Sequence, residues 1–130
     1  MKKVILFILL SISTSVLFSQ NTCINYNGFY AFKLNDENSA VLRFYEDGTV
    51  IASTSTNDYK HVATWFVKEN KDMVLNGKYV LKKCKTSFTV KGYTGEQKYE
   101  LVTSPDSIDA EITDKKSKKS TKRVYTFISS

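Results

Sequence analysis

The sequence predicts an all-β domain, an antiparallel up-and-down meander barrel of about eight to nine short strands, with a β-sandwich as the alternative. Beyond residue 20, short segments alternate apolar and polar side chains, which is the period of a half-buried strand. Turn dipeptides such as Asp47-Gly48 and Asn76-Gly77 separate some of these segments and are strong hairpin signals. No segment has the pattern of a long amphipathic helix, which a parallel sheet needs for its crossovers.

The first element is an amino-terminal leader at residues 1–20. Lys2 and Lys3 precede an apolar run at 4–10 and a small polar stretch, which is the layout of a secretory signal peptide. A membrane anchor is the alternative, but residues 11–15 interrupt an apolar span that should be about 20 residues long. The sequence therefore predicts an exported protein, secreted or periplasmic, whose mature chain (21–130) is a single barrel domain.

The strands are predicted from alternation and from enrichment in β-branched and aromatic residues. In chain order they cover residues 28–34, 40–46, 49–54, 62–67, 78–83, 86–91, 97–103, 107–113 and 122–129. Residues 73–75 form either a further short strand or a plug, and the polar stretch 53–60 is a loop. Short connections favour a closed meander over a sandwich, because closure removes exposed sheet edges.

The charge is mildly basic. The whole chain carries +6, and without the two leader lysines the mature chain carries +4. Its aromatic residues are not interleaved with a basic groove, so we expect no nucleic-acid binding. The strongest shift in composition is the run 114–123, where Lys115, Lys116, Lys118 and Lys119 could contact an anionic surface. The favoured alternative is a solvated hairpin loop whose lysines discourage edge pairing.

Few residues could carry chemistry. His61 is the only histidine, and a Cys84 nucleophile activated by His61 lacks an identifiable third orienting group. The chain contains no catalytic signature, no metal-ligand spacing and no phosphate-binding glycine loop. The sequence therefore predicts a protein that is not an enzyme and that has no catalytic residue, no metal and no cofactor.

Cys23 and Cys84, the two cysteines of the chain, are either bonded to each other or unpaired. An even number of cysteines in an exported chain favours a disulfide. In a simple meander that includes the strand 62–67, however, Cys84 lies at the barrel end opposite the start of the first strand. A six-residue strand spans roughly 20 Å, whereas bridged Cα atoms lie within about 7 Å. Unpaired cysteines are expected unless 73–75 form a separate strand or the amino-terminal segment folds back.

Several short motifs resemble the small secreted lipocalin-like barrels of bacteria. They are Gly28-Phe29-Tyr30, the hairpin at 44–49, Trp65, Gly77-Lys78-Tyr79 and Tyr125-Thr126-Phe127. Lipocalins open with Gly-x-Trp and pack an arginine of the last strand across that tryptophan. Tyr30 and Arg123 are similar in kind, although an eight-stranded meander should place them far apart. The resemblance implies an interior lined by apolar and aromatic side chains, in a family that holds small hydrophobic ligands.

The expected function depends on whether the interior is hollow. If it is, a small apolar or amphipathic ligand is held there. The predicted ligand-binding residues are Tyr30, Phe44, Trp65, Tyr79, Phe88 and Tyr99. If side chains fill it, as they can in a barrel of about eight strands, the protein is a compact envelope or extracellular interaction domain that acts through its surface and basic loop. Neither alternative has a transmembrane span after processing.

The leader generates a prediction about processing. Residues 20–22 lack the apolar and small residues that precede a lipid-modified cysteine, so we expect the mature protein to begin near Asn21 without lipid. Intact-mass spectrometry of the exported protein measures this directly. A retained leader, or a diacylglycerol group on Cys23, would contradict it.

Overall fold

A computed structural model describes residues 23–129, and the predicted leader lies outside them. Eight strands close an antiparallel barrel in sequence order, so the predicted all-β meander is confirmed. The strands are β1 (Gly28–Lys33), β2 (Asn38–Phe44), β3 (Thr49–Thr56), β4 (Leu75–Lys78), β5 (Lys85–Gly92), β6 (Gly95–Thr103), β7 (Ser107–Asp114) and β8 (Ser120–Ser129). The helix α1 (Tyr59–Trp65) and a 3-10 helix (Lys68–Met73) lie between β3 and β4.

The predicted strand at 62–67 is wrong, because most of this segment belongs to α1. Asp58 caps the helix, its Oδ1 accepting a hydrogen bond from the backbone N–H of His61 at 3.3 Å. Val62 and Phe66 are both fully buried, and their four-residue spacing places them on one side of a helix. A short apolar run fits the helical and the strand period equally well, so the pattern alone could not decide.

The helix covers the outward face of β1–β3. Phe29, Val41 and Ile51 point out of the barrel and pack with Val62 and Phe66 in a second hydrophobic cluster. Phe29 contacts the rings of Tyr59 and Phe66 edge to face, with centroids 5.9 and 6.0 Å apart. These strands are therefore buried on both faces, which explains their weak alternation. Within residues 23–129, no helix is long and apolar enough to cross a membrane.

The fourth strand is β4, not 62–67, and the predicted strand at 78–83 is largely a loop. β4 pairs with β3 over four residues and with β5 over two. Gly77 passes so close to β5 that a Cβ there would collide with the carbonyl oxygen of Thr89. Only glycine allows this approach.

Cys23 and Cys84 form a disulfide, with Cα atoms 5.0 Å apart, so the expectation of unpaired cysteines is wrong. Because 62–67 is not a strand, Cys84 follows the fourth strand and lies at the barrel end where β1 begins. The amino-terminal segment also folds into that end. Ile24 is 3% exposed within the interior cluster, and the N–H of Asn25 donates to the Tyr30 hydroxyl at 3.0 Å.

We predict that the disulfide makes a large contribution to stability. It is formed between residues 61 positions apart, and cross-links of this kind typically add about 2–4 kcal/mol. Reducing it should lower the free energy of unfolding in urea by that amount. The double variant C23A/C84A is the control, because reductant should not affect it. An unchanged unfolding midpoint for the reduced native protein would rule out this role.

Candidate functional site

Five of the six predicted ligand-binding residues lie inside the barrel and contact one another. Tyr30, Phe44, Tyr79, Phe88 and Tyr99 belong to the interior cluster, and none is more than 7% exposed. The ring of Phe44 lies 6.1 Å from Tyr30, 5.1 Å from Tyr79 and 6.0 Å from Phe88, all edge to face. Phe88 in turn stacks on Tyr99 at 5.2 Å. These rings form a continuous packed path through the interior.

The buried tyrosine hydroxyls have protein partners. Tyr30 donates to the carbonyl of Ser104 at 2.9 Å, Tyr79 to the carbonyl of Tyr45 at 2.6 Å, and Tyr99 to Gln97 Oε1 at 3.0 Å. Burial raises the pKa of all three hydroxyls above the ordinary tyrosine value. They remain neutral at physiological pH, and they do not need a ligand to satisfy them.

Trp65 lies apart from the other five residues. It is on α1, outside the barrel, and packs against Phe66 with ring centroids 5.7 Å apart. Its expected inward position depended on the strand at 62–67 and is wrong for the same reason.

The chemistry of the remaining candidates is limited. The Cys84 sulfur is bonded to Cys23 and is not a free nucleophile. His61 is exposed near the start of α1. In the described part of the chain, no three histidine, cysteine or acidic side chains lie close enough together to hold a metal ion.

A cavity of about 1140 Å³ lies against β5–β8. Side chains alternate across a strand, and the lining includes outward-facing positions such as Glu100, Val102 and Val124. Inward neighbours such as Phe88 and Tyr99 do not line it. Other inward-facing residues also line the cavity, so it borders both faces of these strands. We call its exposed part, on the outward face around Val102 and Val124, the outer groove. The lining of the whole cavity comprises Phe32, Lys82, Lys83, Lys85, Thr86, Ser87, Glu100, Leu101, Val102, Asp109, Ala110, Glu111, Lys122, Arg123 and Val124.

The outer groove combines exposed apolar side chains with an excess of positive charge. Val102 and Val124 are 50% and 58% exposed, and both are paired with Asp109, which lies between them in the sheet. The lining contains five lysine or arginine residues and three acidic residues, a net charge of +2. No predicted site residue lies in it. A signal was present, because Val102 and Val124 occupy outward positions where alternation calls for polar residues.

Arg123 is a half-buried cation on the inward-facing side of the cavity lining, because it alternates with the exposed Lys122 and Val124. Its guanidinium lies 5.6 Å from the centre of the Phe32 ring, and Nη1 donates to the Tyr125 hydroxyl at 3.1 Å. Its Nε is buried without a hydrogen-bond partner, and no carboxylate within residues 23–129 forms an ion pair with it. The arginine of the last strand thus stacks on Phe32, two residues beyond Tyr30. A desolvated cation without an anion is unfavourable, so this position suits a negatively charged group.

The groove lies in the basic half of the barrel. Residues 74–129 contain twelve lysine or arginine and six acidic residues, a net charge of +6. Residues 23–73 form β1–β3 and the helical segment. They contain five lysine or arginine and seven acidic residues, a net charge of −2. The part of the chain that forms β1–β3 and α1 is therefore mildly acidic, and the part that forms β4–β8 is basic.

No family model matches this sequence, and comparisons with curated proteins and with solved structures give no significant match.

The raised tyrosine pKa values generate a prediction about alkaline pH. Burial raises the pKa of Tyr30, Tyr79, Tyr99 and Tyr125 in the folded protein, whereas unfolded tyrosines ionise near pH 10. The resulting stability is fully present below about pH 10 and is lost as the pH rises above it, because only the unfolded chain releases these protons.

Titration of the phenolate absorbance measures this effect. Some of the eight tyrosines should ionise near pH 10, and the rest only when the protein unfolds. Y99F should remove one late-titrating group. Simultaneous ionisation of all tyrosines in the folded protein would show that the hydroxyls are accessible.

Proposed function

We propose that this protein is an exported, non-enzymatic binding domain that holds a small anionic amphiphile in the outer groove and uses its packed interior as a scaffold. The exposed part of the cavity carries this proposal, because it lies on the uncovered face of β5–β8 while the interior aromatic rings contact one another. The volume of the whole cavity is slightly above the range of about 300–1,000 Å³ that is typical of small-molecule sites.

The lining supports an amphiphile with one anionic group. Val102 and Val124 offer apolar surface that is now exposed to water. Lys85, which pairs with Val102, and Lys122 supply positive charge on the same outward face. No ion pair within residues 23–129 involves either lysine, so a negative group there could pair with them.

A ligand inside the barrel, as in the lipocalin-like proteins that the sequence resembles, is the second candidate. The closed eight-stranded barrel agrees with that resemblance. Inward-facing residues of the cavity favour it, since the Thr86 hydroxyl and the Arg123 Nε are buried with no hydrogen-bond partner among the described residues. An interior ligand would, however, have to separate the contacts that Phe44 makes with Phe88 and Tyr79, and such contacts stabilise the core.

The two candidates are distinguished by dodecanoate binding, measured by calorimetry and by thermal unfolding. The extended hydrocarbon chain of dodecanoate matches the width of the sheet from β5 to β8, which is roughly 14 Å for three strand spacings. We expect V102D to weaken binding at least about tenfold, which is about 1.4 kcal/mol, and K85Q to weaken it by a smaller factor, because Lys85 is exposed. V80D is the matched control, because Val80 is 82% exposed and does not line the groove.

Variants of the interior aromatic residues test the second candidate. Y99F and F88L should lower stability without a selective loss of dodecanoate binding. If these variants abolish binding while V102D retains it, the ligand lies inside the barrel and the groove proposal is wrong. If dodecanoate raises the melting temperature of no variant, including the native protein, the proposal fails as well, because a ligand of the folded state must stabilise it.

A further inference from the structure

We propose that the barrel end formed by the β5–β6 and β7–β8 hairpins docks on a bilayer containing anionic phospholipid. The surface that carries this interaction, the hairpin tip surface, consists of Lys91, Tyr93, Lys115, Lys116, Lys118 and Lys119. It is separate from the outer groove, and the inference does not rest on the proposed function.

The two hairpins lie side by side. β6 pairs with β7 up to Gln97 and Asp114, so the turn of each hairpin projects from the same end of the barrel. Beyond that pair, the N–H of Lys115 donates to the carbonyl of Glu96 at 3.1 Å. The Glu96 carboxylate also lies 3.6 Å from the ammonium groups of both Lys91 and Lys115. These contacts hold the two turns next to each other.

The lysine-rich turn has a defined backbone and uncompensated charge. Asp114 Oδ2 accepts a hydrogen bond from the N–H of Ser117 at 2.8 Å, and the Asp114 carbonyl accepts one from Lys118 at 2.8 Å. The carboxylate of the turn is therefore committed to the backbone. No ion pair within residues 23–129 involves Lys116, Lys118 or Lys119, and all three are exposed.

Tyr93 adds an aromatic group that the lysine run itself lacks. It lies at the turn of the β5–β6 hairpin and is 100% exposed. A fully exposed tyrosine at the same barrel end as a cluster of lysines has the composition of a membrane-interface anchor, where the ring lies at headgroup level and the lysines pair with anionic lipid. An acidic glycan would satisfy the lysines but would offer the ring no apolar phase. The tyrosine therefore favours a bilayer.

The expected affinity follows from the number of lysines. Near an anionic leaflet each lysine adds roughly a factor of five to binding. The attraction weakens with salt, because the Debye length falls from about 10 Å at 0.1 M to about 3 Å at 1 M. We therefore expect salt-sensitive binding that depends on the lysines of the tip.

The test is sedimentation of the mature, disulfide-bonded protein with vesicles of equimolar phosphatidylcholine and phosphatidylglycerol, and with phosphatidylcholine alone. We expect binding only to the anionic vesicles. K116Q/K119Q should weaken it roughly 25-fold, from two lysines at the factor given above. K60Q/K71Q removes the same charge from exposed positions on the helical side and should bind like the native protein. Unfolding midpoints show that each variant is folded.

Tyr93 separates a bilayer from an acidic glycan. Y93S should weaken vesicle binding several-fold and leave elution from an immobilised sulfated polysaccharide unchanged. Equal losses for K116Q/K119Q and K60Q/K71Q would overturn the proposal, since binding would then depend on net charge alone. Vesicle binding unaffected by Y93S, together with tight retention on the polysaccharide, would assign the tip surface to a glycan instead.

Discussion

The closure of eight antiparallel strands is the constraint from which the other features follow. Each strand reverses the direction of the one before it, so the start of β1 and the loop after β4 must lie at the same end of the barrel. This brings Cys84 to within bonding distance of Cys23. The disulfide then anchors the amino-terminal segment, and Ile24 closes that end of the core. A barrel with 62–67 as an additional strand would have separated the two cysteines.

Closure also leaves the barrel with two different outer faces. The face of β1–β3 is apolar and is covered by α1, so Phe29, Val41 and Ile51 are buried on the outside as well as supported from within. The face of β5–β8 has no helix over it and carries the groove with Val102, Val124 and the basic lining. The covered face and the interior contain the two hydrophobic clusters, whereas the face of β5–β8 remains exposed to solvent.

The interior aromatic residues pack against one another. Phe44 contacts three other rings, and the hydroxyls of Tyr30, Tyr79 and Tyr99 all bond to protein groups. Polar tips and large rings would equally suit a ligand cavity, so residue type alone is ambiguous. The contacts favour a filled core, because the aromatic rings pack against one another and leave no space between them that a ligand would have to fill.

The sequence by itself determined the strand class, the order of most strands and the inward positions of five aromatic residues, because a period of two and hairpin dipeptides are local properties. It could not decide whether 62–67 is helix or strand, since Val62 and Phe66 fit both periods and only the apolar face of β1–β3 selects the helix. That one element fixed the strand count and thus the pairing of Cys23 with Cys84. Only the tertiary structure placed Arg123 on Phe32, and Tyr93 at the same barrel end as the lysines, because these arrangements come from strand pairings and chain turns that no local pattern records.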